Sequence, residues 1–359
     1  MSTSSATAAT PGAAAGGAAT PPPTSSWAVT LRAVVIVTLF LAGILVAFAL
    51  PQIHLGPRDI PIAVVGEPAA ADALGTRLEK ERPGAFDITQ VSDTQEARRL
   101  IDDHEVYGAV VTHDAEDPSM IIASQAGLPV ANVLKELGSQ LRGGVPPGAV
   151  EDVKPLPADD PTGAGLSSGS LPMVLGGWLA AVLILMQVRG LGRQVSGVFL
   201  FSVIGGFVLS AMIKYVFGSV DDGNLFLMTA AAALSLAATA WMILGLRAAF
   251  GNPGLGVGGL LVILIGNPLS GLSSAPEMLP DGWSTLGQLL PPGAGGTLLR
   301  SVAYFEGNGA LVPVLVLTSW MAGGVVLFLF GMARARKKAL ASSQAASTGG
   351  PQNAAVPAS

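Results

Sequence analysis

The chain has 359 residues, 50% of them apolar and only 12% charged, with a net charge of −5 and a mean hydropathy of +0.57. So few charges cannot clothe a soluble globule of this length, which excludes an ordinary water-soluble enzyme fold and points to a membrane protein. The absence of cysteine also excludes disulfides, thiolate metal sites and cysteine nucleophiles.

Residues 1–27 open the chain with Ala, Thr, Ser, Pro and Gly, which bury too little apolar surface to offset the entropy of ordering. They are expected to form a disordered cytoplasmic tail. The first apolar span follows at 31–50, within a helix expected over 28–50. Ala47, Phe48 and Ala49 form an A-x-A triplet at its end, so a cleaved secretory signal is the competing reading. The apolar run is longer than a typical signal core and no basic cluster precedes it, which favours an uncleaved anchor.

Residues 51–170 are polar and carry 19 of the 24 acids. Alternation within them predicts an α/β domain with a mainly parallel or mixed sheet. Strands are expected at 60–66 (IPIAVVG), 85–91 (AFDITQV), 108–112 (GAVVT) and 120–123 (MIIA). Leu74 and Leu78 mark one helix face between the first two strands. Asp93 and Glu96 are spaced as an N-cap and its partner ahead of a stripe of Ala97, Leu100 and Ile101, and a further helix is expected over 130–141. The Pro-, Gly-, Ser- and Asp-rich stretch 143–170 reads as a tether.

Chemistry is scarce in this domain. His54, His104 and His113 are the only histidines, and none sits in an HExxH-like spacing. His113 with Asp114 and Asp117 could ligate a cation through loop geometry, but the spacing supplies no full ligand set and a solvated loop is the plainer reading. Asp102 and Asp103 are adjacent, so on a helix they diverge and form no acid/base pair. There is no GxxxxGK[ST] phosphate loop. No catalytic residue, no metal site and no cofactor bound by this chain are expected, and ATP-driven work would need another subunit.

Five more apolar spans follow closely, at 171–188, 195–217, 225–246, 255–272 and 310–332. Each is long enough for a hydrocarbon core of about 30 Å and lacks the alternation of barrel strands. Arg32, Arg189, Arg193, Arg247, Arg334, Arg336, Lys337 and Lys338 all fall on one side of the resulting path, which the positive-inside tendency makes cytoplasmic. The acids Asp221, Asp222, Glu277, Asp281 and Glu306 fall on the other side with 51–170. The expectation is a multi-pass protein of the bacterial plasma membrane with both termini cytoplasmic and residues 51–170 outside. Residues 333–359 would be a basic stub followed by a disordered tail. The stub serves as a topological stop touching anionic lipid, with no nucleic-acid partner.

Within the spans, Lys214 is the sole ionisable group well inside, about one turn from an outer end. It either snorkels toward Asp221 or Asp222 or contacts a substrate. Gly254 and Gly258 give a small-xxx-small spacing, equally suited to internal packing and to a dimer seam. The segment 267–305 contains a predicted short helix that starts after Pro280, carries Trp283, Leu286, Leu289 and Leu290, and stops at Pro291 and Pro292. Its Trp and amphipathic character place it at the membrane interface or folded back into the bilayer, within a re-entrant segment 273–309 of the membrane domain 171–332.

Pro276, Leu279, Pro280, Trp283, Leu290, Pro291 and Arg300 resemble the pattern after the fifth helix in membrane subunits of type-2 ABC transporter permeases. The insertion after the first span, with 96–111 (EARRLIDDHEVYGAVV), is similar to the subgroup related to phage-infection-type membrane proteins. The resemblance covers most of 28–335. It implies an α-helical polytopic membrane protein with six transmembrane helices and an extracytoplasmic α/β domain between helices 1 and 2. It further implies a homodimer or a heterodimer with a related permease, exporting a lipid-like or amphipathic substrate. A cytosolic ATP-binding subunit would hold ATP and Mg and dock on the connection 187–196 through Arg189 and Arg193. Lys214, Trp283 and Arg300 would line the substrate path or its outer gate. The alternative is a non-transporting envelope scaffold or receptor whose extracytoplasmic domain binds a partner.

Overall fold

A computed structural model describes residues 26–112, 119–141 and 150–348, and the chain divides into two units, residues 1–45 and 46–359. The expected disorder of 1–25 and the His113, Asp114 and Asp117 group lie outside the described residues. Helix α1 (Trp27–Ile53) runs 27 residues, and no part of its most apolar window is buried. A helix apolar on every side and covered by nothing is suited to lipid.

In the second unit the sheet domain comes first. Strand β1 (Ile60–Val65) leads to α2 (Pro68–Glu81), β2 (Phe86–Val91), α3 (Thr94–Asp102), β3 (Gly108–Val111), β4 (Ser119–Ile122), α4 (Leu128–Leu141) and β5 (Val150–Asp152). The sheet order is β2-β1-β3-β4-β5, mixed because only β3 and β4 run antiparallel. β1 and β3 lie in the middle of the sheet and are almost wholly buried, which is why they read as continuous apolar runs. Asp93 caps α3 by accepting from the Glu96 amide at 2.8 Å, while Glu96 accepts from the Ser92 amide at 3.1 Å. β5 lies inside the stretch expected to be only a tether. It has three residues, too few for an alternation to register, and its pairing with β4 creates it.

The remainder is a helical bundle. It comprises α5 (Ala164–Ser168), α6 (Ser170–Gln187), α7 (Leu191–Ala211) with a π-helical turn Met212–Val216, and α8 (Leu225–Phe250). Then come α9 (Asn252–Gly259) with a π-helical stretch Leu260–Gly266, α10 (Trp283–Gln288), α11 (Pro291–Tyr304) and α12 (Leu311–Thr348). α8 is the centre: 61% of its apolar window is buried, against 35% or less for the other long helices. Its alanine-rich sequence lets α6, α7, α11 and α12 pack against it closely. Among the described residues five helices are long and apolar enough to cross a membrane, α1, α5–α6, α7 with its π turn, α8 and α12. The chain is thus a mostly helical protein with a small mixed sheet, consistent with a multi-pass membrane protein.

Three sequence expectations differ from what is observed. The predicted span 255–272 leaves the helix at Gly266, after 8 residues of α-helix and 7 of π-helix. Pro268 cannot donate to a continuing helix, and Gly271 at φ +67 turns the chain away. Gly254 and Gly258 of this helix pack internally on α8, since an added Cβ would lie 2.1 Å from the Leu246 oxygen and 2.4 Å from Ile243 Cδ1 respectively. Pro291 and Pro292 end α10 as expected but also open α11 as its first residues, where a missing N–H costs nothing. Finally, α12 continues through the basic stub to Thr348, where disorder was expected from Ala339.

Candidate functional site

The site lies where the segment after α9 folds back into the bundle beneath the sheet domain. From Gly266, which abuts Pro292, the chain rises to Met278, whose carbonyl accepts from the Gly56 amide at 3.0 Å. It then descends through α10 to Leu289, whose carbonyl accepts from Trp320 Nε1 in the first third of α12 at 2.7 Å. α11 climbs back to Tyr304, whose hydroxyl donates to the Ser219 carbonyl at 2.8 Å. Thirteen of the 14 residues of α11 are buried.

Irregular backbone inside a helical bundle must have its hydrogen bonds met by turns or by side chains. Here the Ser270 carbonyl accepts from Gln288 Nε2 at 3.0 Å and the Leu272 carbonyl from Arg300 Nη2 at 3.0 Å. Thr297 in turn donates to Gln288 Oε1 at 2.7 Å and fixes the amide orientation. Gln288→Leu strands both groups and is expected to cost about 1–3 kcal/mol. A thermal midpoint in detergent equal to that of the parent would refute this.

The sheet domain grips this hairpin at several points. The Tyr107 hydroxyl donates to Glu277 Oε2 at 2.6 Å, and the Arg58 amide donates to the Glu277 carbonyl at 3.0 Å. Arg58 also pairs with Asp281 at 3.6 Å. Asn308 donates to the Asp102 carbonyl at 3.1 Å, and His104 stacks on Phe305 with ring centroids 4.2 Å apart. Burial, then the neighbouring Arg300 charge, pushes the His104 pKa down to about 4. Burial, with Glu277 beside it, pushes Tyr107 well up. Asp102 and Asp103 do not face each other: Lys154 lies 3.2 Å from Asp102 and Arg99 lies 3.2 Å from Asp103.

The residues singled out from sequence fall in three places. Arg300 is buried in α11 at the centre of the hairpin, and Trp283 is half-buried at the start of α10. Lys214, in the π turn after α7, donates to the carbonyls of Asp221 at 2.8 Å and Gly223 at 2.7 Å and pairs with neither predicted carboxylate. Arg189 and Arg193 are exposed at the opposite end of the α6–α7 pair. The non-helical link there is Val188, Arg189 and Gly190, shorter than the expected 187–196, so Arg193 lies in the first turn of α7.

Two cavities adjoin the hairpin, and Gln125 and Tyr304 line both. One, of about 690 Å³, opens between β5, the α7–α8 turn and the end of α11, with Asp221, Asp222, Lys154 and Glu306 on its wall. That is a usual size for a small-molecule site, and its wall suits a polar ligand. The other, of about 40 Å³, is lined by Arg300. Tyr107, Glu277, His104 and Phe305 were missed from sequence, because no spacing signals contacts between residues so far apart. No protein-family model, no curated protein and no solved structure matches this chain.

Proposed function

We propose that the chain is the membrane-spanning permease subunit of an ATP-driven exporter of the type-2 ABC class, moving a lipid-like or amphipathic substrate. The observation that supports this reading most is the α10–α11 hairpin, whose second helix is buried with its interior arginine and which is gripped by the sheet domain. Such a hairpin is a costly structure for an inert anchor, since its irregular backbone needs dedicated side-chain partners. In this reading the helix Asn252–Gly266 and the hairpin together make the sixth crossing. Residues 51–170 lie outside, and both termini are cytoplasmic. Lys214, Trp283 and Arg300 line the path or its outer gate. A cytosolic subunit holding ATP and Mg docks at Arg189 and Arg193, and a second permease copy or a related chain completes the path.

The absence of cysteine makes the topology directly testable. Asp87→Cys, on the exposed part of β2, is expected to react with an impermeant maleimide in intact cells, and Ser342→Cys only after permeabilisation. The reverse pattern overturns the orientation. For the motor, the parent chain in mild detergent is expected to carry down an ATP-binding protein, and Arg189→Glu with Arg193→Glu to lose it without a change in thermal midpoint. Recovery of no such protein with the parent chain refutes the exporter reading. It favours the scaffold or receptor alternative, in which the sheet domain alone binds a partner.

A further inference from the structure

Arg300 is 7% exposed, yet among the described residues its only hydrogen bond is the one from Nη2 to the Leu272 carbonyl at 3.0 Å. Among the described residues no carboxylate forms an ion pair with it. A guanidinium carries five N–H donors, and burying its charge without a counter-ion is costly. The donors left over have somewhere to go, because Arg300 lines the cavity of about 40 Å³. At roughly 10–15 Å³ per water-sized occupant, that volume holds about three oxygen atoms.

A second feature of the same cavity selects the sign of its occupant. Gly127, Leu128 and Pro129 line it, which puts the N-terminus of the 14-residue helix α4 at its wall. Pro129 has no N–H and the Ala131 amide donates to the Gly127 carbonyl at 2.9 Å, which leaves the amides of Leu128 and Val130 in this first turn, and the helix dipole adds about half a positive charge there. No Asp or Glu lines this cavity. Asp160, nearby in sequence to Thr162, is already engaged by the amides of Ala164 at 2.9 Å and Gly165 at 2.8 Å. The acids of the wider cavity, Asp221, Asp222 and Glu306, are exposed, so water and salt screen them.

We propose that the guanidinium of Arg300 and the N-terminus of α4 form a binding site for a phosphate-type oxyanion, reached through the wider cavity. The oxyanion is either free phosphate or the phosphomonoester of a lipid headgroup. This assignment rests on the cavity and holds whether or not the chain works with an ATPase.

The test uses the purified full chain in neutral detergent. Its thermal midpoint is followed with sodium phosphate against sodium chloride at equal ionic strength, and with dioctanoyl phosphatidic acid against dioctanoylglycerol. A saturable rise of a few degrees is expected with at least one phosphate probe, since ligand bound only to the folded state stabilises it by mass action. A rise with inorganic phosphate identifies a free-anion site, and a rise confined to phosphatidic acid identifies a headgroup site. Arg300→Gln is expected to abolish the rise. Because that variant also loses the bond to Leu272, Ser273→Trp provides a second variant: Ser273 is an exposed lining residue, and the indole would close the cavity without disturbing the core. Equal midpoints with phosphate and control probes, or a rise that Ser273→Trp leaves intact, overturn the proposal. The exporter reading would survive either result, because co-purification of an ATP-binding protein does not depend on this pocket.

Discussion

Gly324→Leu is expected to abolish recovery of the folded chain from membranes. α12 crosses α8 at this point with the two backbones in contact. A Cβ on Gly324 would lie 2.4 Å from the Trp241 carbonyl carbon and 2.5 Å from the Met242 nitrogen. The approach is reciprocal, since a Cβ on Gly245 would lie 2.3 Å from the Gly324 oxygen. These obstacles are backbone atoms of the most buried helix, so no side chain can rotate aside and the helices must separate. Overpacking usually costs about 1–3 kcal/mol when side chains can yield, and this contact lies beyond that range. A loss of that size consumes much of a stability of about 5–15 kcal/mol. Gly323→Leu provides the control, because a Cβ there meets only the flexible Met242 Cε at 3.6 Å. Equal yields of monodisperse protein for the two variants would show that α8 and α12 do not pack this way.

Acid should weaken the seam between the sheet domain and the hairpin, and His104 should account for a measurable part of it. The folded chain holds this imidazole neutral down to about pH 4 because burial, and then Arg300, oppose its protonation. The unfolded chain takes up the proton near pH 6.5. Between those values the unfolded state binds more protons, so stability is complete above about pH 6.5 and falls as pH drops toward 4. The full loss is about 3 kcal/mol. His104→Phe keeps an aromatic ring against Phe305 and removes the titration. The gap in thermal midpoint between parent and variant is therefore expected to grow in the variant's favour from pH 7 to pH 4.5. Parallel pH profiles would refute the assignment. Lys154, 5.8 Å from the Phe305 ring centroid, adds a further positive charge beside any imidazolium that forms.

Much of the fold was legible because it is local. Strands β1 to β4 follow from short runs of strand-forming residues and the cap at Asp93 from its spacing to Glu96, and they appear within a residue or two of their expected ends. The unpredicted β5 has three residues and exists only through its neighbour β4. In the hairpin, Pro280, Trp283 and Pro291 signalled a short helix correctly. The buried helix α11 was invisible, because PPGAGGTLLRSVAY carries too much glycine and too little apolar contrast to announce a core helix. Its glycines become intelligible only from what they touch: a Cβ on Gly295 would lie 2.2 Å from Ser235 Oγ of α8, one on Gly293 2.2 Å from the Gly287 oxygen of α10, and one on Gly296 2.1 Å from Leu272 Cδ1.

Of the candidate residues, Lys214 stood out in sequence because an ionisable group within an apolar span is rare, and Arg300 through the resemblance carried by 276–300. The sequence could not say what they touch. By itself it determined the contiguous apolar helices, which are compatible with a membrane protein, and the small sheet domain, since each depends on residues within a few positions of one another. Only the tertiary structure decided where the fifth apolar run stops, that the returning helix α11 is buried, and that Tyr107 meets Glu277 across 170 positions. It alone left Arg300 facing a cavity without a counter-ion among the described residues. Those outcomes depend on which surfaces meet in space, and neither hydropathy nor periodicity encodes that.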